Sequence, residues 1–167
     1  ANKARKRLSF DELFNLQLAS NLIKKQWQKE KVGNRFTVQT SLMTSVQNFV
    51  ANLPFKLTND QNKVVKEIVT DLKKITPMNR FFQGDVGSGK TVVAAISCYL
   101  SFLNGYQSII MAPTEILANQ HFQTIKNLFS KLNTLKVELI TSSTKKPTTH
   151  KLQPIPYDII IGTHSLL

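Results

Sequence analysis

The sequence predicts an α/β protein whose core is a parallel sheet, with a helical stretch in front of it. Three observations carry this. Gly84-Asp85-Val86-Gly87-Ser88-Gly89-Lys90-Thr91 fits the phosphate-loop pattern G-x-x-x-x-G-K-[ST] at every fixed position. Arg80-Phe81-Phe82-Gln83 precedes it as an expected buried strand, and the apolar run from Val92 to Leu103 follows it as an expected buried helix. Further along, short apolar runs alternate with helical patterns, the signature of parallel strands joined by crossover helices.

The chain has 167 residues, enough for one domain or one domain with an appendage, and 41% are hydrophobic, enough for a core. No apolar run reaches the length of a membrane span, and no signal-peptide core follows the basic stretch Ala1 to Arg7. Cys98 is the single cysteine, so it forms no internal disulfide, and its apolar helical surroundings mark it as a core residue. A cytoplasmic setting is expected. The net charge is +12, and residues 1–35 hold nine Lys/Arg against three Asp/Glu, half of the excess. Such a balance suits a polyanionic partner such as nucleic acid, although it also serves general solubility.

In chain order, Leu8-Ser9-Phe10-Asp11-Glu12-Leu13 reads as a helix entrance, with Ser9 and Glu12 as a capping box and Leu8 and Leu13 as its hydrophobic staple. The helix continues through Phe14, Leu18, Leu22, Ile23 and Trp27 and stops at Gly33-Asn34. A lone amphipathic helix is marginal in water, so this one is expected to dock. A second helix is expected over Ser41–Asn52, stopped by Pro54. Residues 1–52 therefore read as a helical appendage and 53–167 as the nucleotide-binding domain. Thr58 and Gln61 form a second capping box, ahead of Val64, Val65, Ile68, Val69 and Leu72 on one face. Asn104-Gly105 stops the helix after the phosphate loop. Strands are expected at Gln107–Ala112, Lys136–Thr141 and Tyr157–Thr163, a helix from the break at Pro113-Thr114-Glu115 to about Leu132, and a polar loop over Ser142–Pro156.

The loop residues explain their own spacing. Glycines 84, 87 and 89 let backbone N–H groups approach phosphate oxygens, with Asp85, Val86 and Ser88 completing the turn. The helix beginning near Lys90 points its positive end at the same place. Lys90 is placed to reach the β and γ phosphates, and Thr91 offers a hydroxyl to Mg²⁺. Gln61 has two readings: it caps a helix, or it presents a donor and an acceptor to the edge of an adenine. In parallel sheets ligands gather at the carboxyl ends of strands. Here those ends carry Gly84–Thr91, Pro113-Thr114, Thr141-Ser142-Ser143 and Thr163-His164, and their hydroxyls suit phosphate contacts. His121, His150 and His164 show no metal-site spacing, and His121 reads as a helix-surface or packing residue.

Phe55 to Gln61, Pro77-Met78-Asn79-Arg80, Gly84 to Thr91 with Val92-Val93-Ala94, Met111 to His121 and Ile161-Gly162-Thr163-His164 together resemble the RecG family. Pro113-Thr114-Glu115-Ile116-Leu117-Ala118 is the most specific of these stretches. The resemblance covers residues 53–167 strongly, and the Leu8–Trp27 helix is similar to the linker ahead of that family's first motor domain. It implies a RecA-like fold and an ATP-dependent DNA helicase that remodels branched DNA, such as stalled forks and Holliday junctions, with ATP and Mg²⁺ as cofactors and a monomeric state. It implies that Gln61 reads adenine with Phe55 against the base. Gly87, Gly89, Lys90 and Thr91 would hold phosphates and Mg²⁺. Pro113, Thr114, Glu115, Thr141, Ser142, Gly162, Thr163 and His164 would lie along DNA. Ser142 stands where the family often has glycine. The family's acidic pair, Asp-Glu-x-His, has no counterpart here: after Thr91 the acids are Glu115, Glu138 and Asp158, and Asp158 precedes its apolar run. The chain thus reads as a fragment with part of the linker and most of the first motor domain. The alternatives are a P-loop nucleotide-binding module without helicase activity, or a relative of the transcription-repair coupling factor, which shares the Gly-Asp-Val-Gly loop.

Overall fold

A computed structural model describes residues 2–30, 33, 36–37, 40–132, 134–143 and 157–164. Among these described residues, five helices and three strands follow in the order α1 (Asn2–Glu30), α2 (Thr40–Ala51), α3 (Asn59–Leu72), α4 (Lys90–Leu103), β1 (Ser108–Met111), α5 (Glu115–Leu128), β2 (Val137–Ile140) and β3 (Ile159–Gly162).

The strands form a parallel sheet in the order β1-β3-β2. The middle place falls to the strand that is apolar on both faces: Ile159, Ile160 and Ile161 are all buried. A strand flanked on both sides and covered on both faces leaves no position for a polar side chain. The register sets Met111 and Ile140 opposite Gly162, so the three strands end level. At the other end Asp158 ties the strand entries together. Its carboxylate accepts from Lys136 N at 2.7 Å, and its carbonyl accepts from Ser108 N at 2.9 Å.

Helix α4 is the central packing element, with Val92, Val93, Ala95, Ile96, Cys98, Tyr99 and Leu100 buried. This is the all-round apolar helix expected from the sequence, and Cys98 is a core residue as expected. Asn104 caps its C-terminus and Gly105 takes φ 75°, the left-handed conformation that ends a helix. Helix α2 packs on α4: Val46 and Phe49 are buried, and Phe49, Tyr99 and Phe129 bring three elements together with ring centroids 5.0–6.0 Å apart. The structure thus places α2 in the main body.

Three expectations fail. Ser9 lies inside α1 rather than at its start, because the good helix formers in Lys3-Ala4-Arg5-Lys6-Arg7 carry the helix back to Asn2. The apolar face of α1 stays uncovered among the described residues: Leu8, Leu13, Phe14, Leu18, Leu22 and Ile23 are all exposed. Trp27 lies on the helix, but its side chain falls outside the described residues. Finally, Arg80–Gln83 forms no strand. Both sides of β3 are taken by β1 and β2, and among the described residues no ladder bond joins 80–83 to an outer strand. Without a neighbour to pair its backbone, the run stays irregular, and Phe81 is 91% exposed. The polar loop expected over Ser142–Pro156 lies outside the described residues from 144 on, as does His150.

Candidate functional site

The phosphate loop is built by local backbone chemistry. Asp85 O accepts from Ser88 N at 3.2 Å, closing a turn through Val86 and Gly87. Gly87 has φ 82° and Gly89 φ 78°, which a side chain resists. A Cβ at Gly87 would meet nothing within 4 Å, so the loop is open on that side. At Gly89 a Cβ would collide with Nε2 of Gln61. Gly89 is the N-cap of α4, which leaves the helix's first N–H groups and its positive end at the loop. Nζ of Lys90 donates to the carbonyl oxygens of Gly84 and Asp85, both at 2.7 Å. An ammonium has three donors, so one remains for a ligand. Thr91 is half-buried in the first turn of α4.

Gln61 combines the two readings left open by the sequence. Its Oε1 accepts from Thr58 N at 2.9 Å and its N–H donates to Thr58 Oγ1 at 3.2 Å, a complete capping box for α3. Its Nε2 then reaches across 27 positions of chain to donate to Ser88 O at 2.8 Å. The glutamine is therefore a cap and a strut to the loop at once. The far end of α3 holds the loop's approach segment: Arg80 donates to Glu67 at 2.7 Å and to Asp71, which also accepts from Lys74 at 2.7 Å. The Arg80 guanidinium, with Lys74 second, holds the Asp71 carboxyl below its usual range, and those carboxylates raise Arg80 in return. Phe55 is 46% exposed on the turn before α3.

A second group gathers at the carboxyl ends of the strands. Because β1, β3 and β2 end level, Pro113-Thr114, Thr163-His164 and Thr141-Ser142 leave the sheet side by side along one rim. Adjacent strands lie about 4.8 Å apart, so the outer exits are separated by roughly 10 Å. Thr114 caps α5, its hydroxyl oxygen accepting from Leu117 N at 3.3 Å. Gly162 lies inside β3, where its carbonyl accepts from Ala112 N at 2.8 Å. Thr141 is buried at 2% exposure, with Oγ1 2.9 Å from Ser143 Oγ, whereas Ser142 and His164 are exposed. Glu115 faces inward along the rim: it accepts from Ser142 Oγ at 2.5 Å, Ser143 Oγ at 3.2 Å and Ser143 N at 3.3 Å. The bond from the Ser142 hydroxyl is the main cause that holds the Glu115 carboxyl below its ordinary value.

The model of the DEAD/DEAH box helicase family matches residues 58–167, from the Thr58 cap through the phosphate loop and all three strand ends. The chain belongs to that family. Across nearly its whole length this family member is similar to RecG helicases. It is 41% identical over 168 residues to the ATP-dependent DNA helicase RecG of Bacillus subtilis (strain 168), covering 98% of this chain and 24% of that protein. To its counterpart in Thermotoga maritima it is 42% identical, covering 99% of this chain and 21% of that one. The chain spans about a quarter of the length of these curated relatives. A solved structure of RecG bound to a three-way DNA junction superposes with a TM-score of 0.81 at 40% identity, over 98% of this chain and 22% of that one. The yeast Dbp5 structure with RNA and ADP BeF3 shares the fold alone, with a TM-score of 0.51 at 20% identity over 79% of this chain and 32% of that one. The parallel α/β fold read from the sequence, RecA-like as the resemblance implies, is thereby shown.

Several site features of this helicase-family chain went unread in its sequence. The Gln61–Ser88 strut, the Arg80–Asp71–Glu67 brace and the Glu115–serine contact all join residues far apart in the chain. The sequence singles out Gln61, Ser88, Arg80, Glu115 and Ser142, but each by itself and none as the partner of another. Among the described residues no cluster of His, Cys, Asp and Glu is arranged to hold a metal ion, and no helix is long and apolar enough to cross a membrane.

Proposed function

We propose that the chain binds ATP with Mg²⁺ between Gln61 and Thr91 and forms part of the motor of an ATP-dependent DNA helicase. Its DNA would be branched: stalled forks and Holliday junctions. In the same reading it works in the cytoplasm as a monomer. The observation that carries the nucleotide reading is the Gln61–Ser88 bond beside the open Gly87 turn. It sets an amide able to address an adenine edge directly against a loop able to cradle phosphates.

The residues present fit the nucleotide. Loop N–H groups and the α4 terminus supply donors, Lys90 keeps one free N–H for the β and γ phosphates, and Thr91 supplies a hard oxygen for Mg²⁺. Bound Mg²⁺ would offset charge on the phosphates. Among the described residues after Thr91, no carboxylate is placed to orient an attacking water. Glu115 is held by two serines, Asp158 ties strand entries at the opposite end of the sheet, and Glu138 lies within β2. The chain as given is therefore a nucleotide and nucleic-acid binding part of the motor rather than a complete hydrolase. Titration of ATP and Mg²⁺ onto this chain and onto Lys90→Ala tests the reading. A charge-assisted contact is worth about 1.5–3 kcal/mol, so the variant should bind at least about tenfold more weakly. Phosphate release should be the same for both proteins. Coincident titration curves refute the nucleotide site.

A further inference from the structure

Three of the polar groups on the Ser142–Ser143 turn converge on a single anion. The Ser142 hydroxyl, the Ser143 hydroxyl and the Ser143 N–H all donate to the Glu115 carboxylate. A hydroxyl carries one proton, so the Ser142 hydroxyl given to Glu115 cannot also be given to a phosphate. Ser142 and Ser143 are exposed, and Glu115 as a residue is partly covered. Thr141 Oγ1 lies 2.9 Å behind Ser143 Oγ and supports the donor set from the buried side. Converging N–H and O–H donors on a turn form an anion-binding concavity, and here the anion is supplied from across the sheet, from the exit of β1.

We propose that the Ser142–Ser143 turn is a phosphate-binding nest and that Glu115 occupies it as an internal anion, which a phosphodiester must displace. This rests on the reading of the strand-end rim as a track for a nucleic-acid backbone. It changes the role of two residues on that rim: Glu115 is a competitor for the nest rather than a contact to DNA, and Ser142 contacts phosphate only after Glu115 leaves. The geometry supplies the physical reason. A carboxylate and a phosphate carry like charge and cannot share the same three donors. The affinity of the nest for phosphate is reduced by the fraction of time that the carboxylate fills it. Once displaced, Glu115 has the positive end of α5 as its remaining partner, since it is the first residue of that helix.

The test uses the full chain, Glu115→Ala, and Glu115→Ala with Ser142→Ala. Two ligands are titrated: inorganic phosphate, followed by the Ser143 amide resonance, and a three-way DNA junction, followed by anisotropy. Glu115→Ala should tighten phosphate at the Ser143 amide by at least about threefold, and Ser142→Ala should remove that gain. The junction should tighten in parallel. Phosphate affinity that is unchanged or weaker in a folded Glu115→Ala overturns the nest, with foldedness checked by the melting curve. If phosphate tightens while the junction does not, the nest stands and the reading of the rim as a DNA track falls. The two failures are therefore distinct.

Discussion

Nε2 of Gln61 lies 2.8 Å from the carbonyl oxygen of Ser88, and through that bond the first turn of α3 holds the phosphate loop. The last turn of α3 holds Arg80, four residues before the loop begins, through Asp71. One helix thus braces both ends of the segment from Arg80 to Ser88, to which we assign the phosphates. Any ligand that draws Gln61 toward itself acts on the cap of α3 and on the loop together.

Gln61→Ala should therefore have two separable effects. Loss of the capping box should lower stability by about 1 kcal/mol, read from a denaturant melt. Loss of the amide should weaken ATP more than bare triphosphate, because only ATP has an adenine edge to address. Equal weakening of both ligands would leave Gln61 as a cap and strut alone.

The Asp71–Arg80–Lys74 cluster makes a pH prediction. The folded-state pKa of Asp71 lies below its ordinary 3.8 because Arg80 and Lys74 donate to its carboxylate. A depressed carboxyl contributes stability that is present above the unfolded pKa and fades as pH falls through the folded one. The Asp71 side chain is 16% exposed, and the charges it joins reach solvent, so the effect should be on the order of 1 kcal/mol. Asp71→Asn should lose that amount at pH 7 in urea unfolding. The gap to the parent should close below about pH 3.8. A gap that is constant down to pH 3 would mean that packing rather than charge is responsible.

DNA binding should be sequence-independent and steeply salt-dependent. Each neutralised phosphate adds about −0.7 to −0.9 to the slope of log K against log salt. Replacing Lys145, Lys146 and Lys151 with alanine should flatten the slope. Thr163→Ala with Thr114→Ala should weaken binding at nearly constant slope, with about 1 kcal/mol of stability also lost at the Thr114 cap. Helix α1 is the competing source of positive charge. A chain beginning at Gly33 keeps α2 in the core while removing α1, and filter binding on it decides between the two. If no DNA is retained, the basic helix was responsible and the rim was not.

What the sequence made readable was local. The Thr58–Gln61 capping box spans three residues, and α4 announces itself by apolar residues on every face. Ile159-Ile160-Ile161 could only be a strand buried on both sides. What stayed hidden depends on neighbours supplied from elsewhere. Arg80–Gln83 has strand-like composition, but a strand exists only as a pair, and no partner lies beside it among the described residues. Glu115 looked like one more polar residue at a strand exit. Its carboxylate meets Ser142 and Ser143 because the three parallel strands end level, which leaves the exits of β1 and β2 on one rim. Ser9 met every local rule for a helix start, yet favourable residues upstream overrode it.

Cys98, on the buried side of α4, gives the chain an experimental convenience. The residue is 8% exposed, and burial raises the thiol's pKa, so it stays protonated and out of reach of thiol reagents at neutral pH. It is also the sole cysteine. A cysteine introduced at an exposed position such as Val86 on the loop would therefore be the single site that takes a fluorophore or spin label under native conditions. The parent chain would serve as the unlabelled control. Its slow labelling would then time the rare events in which α4 separates from the sheet, one molecule reporting on its own opening without any substitution at all.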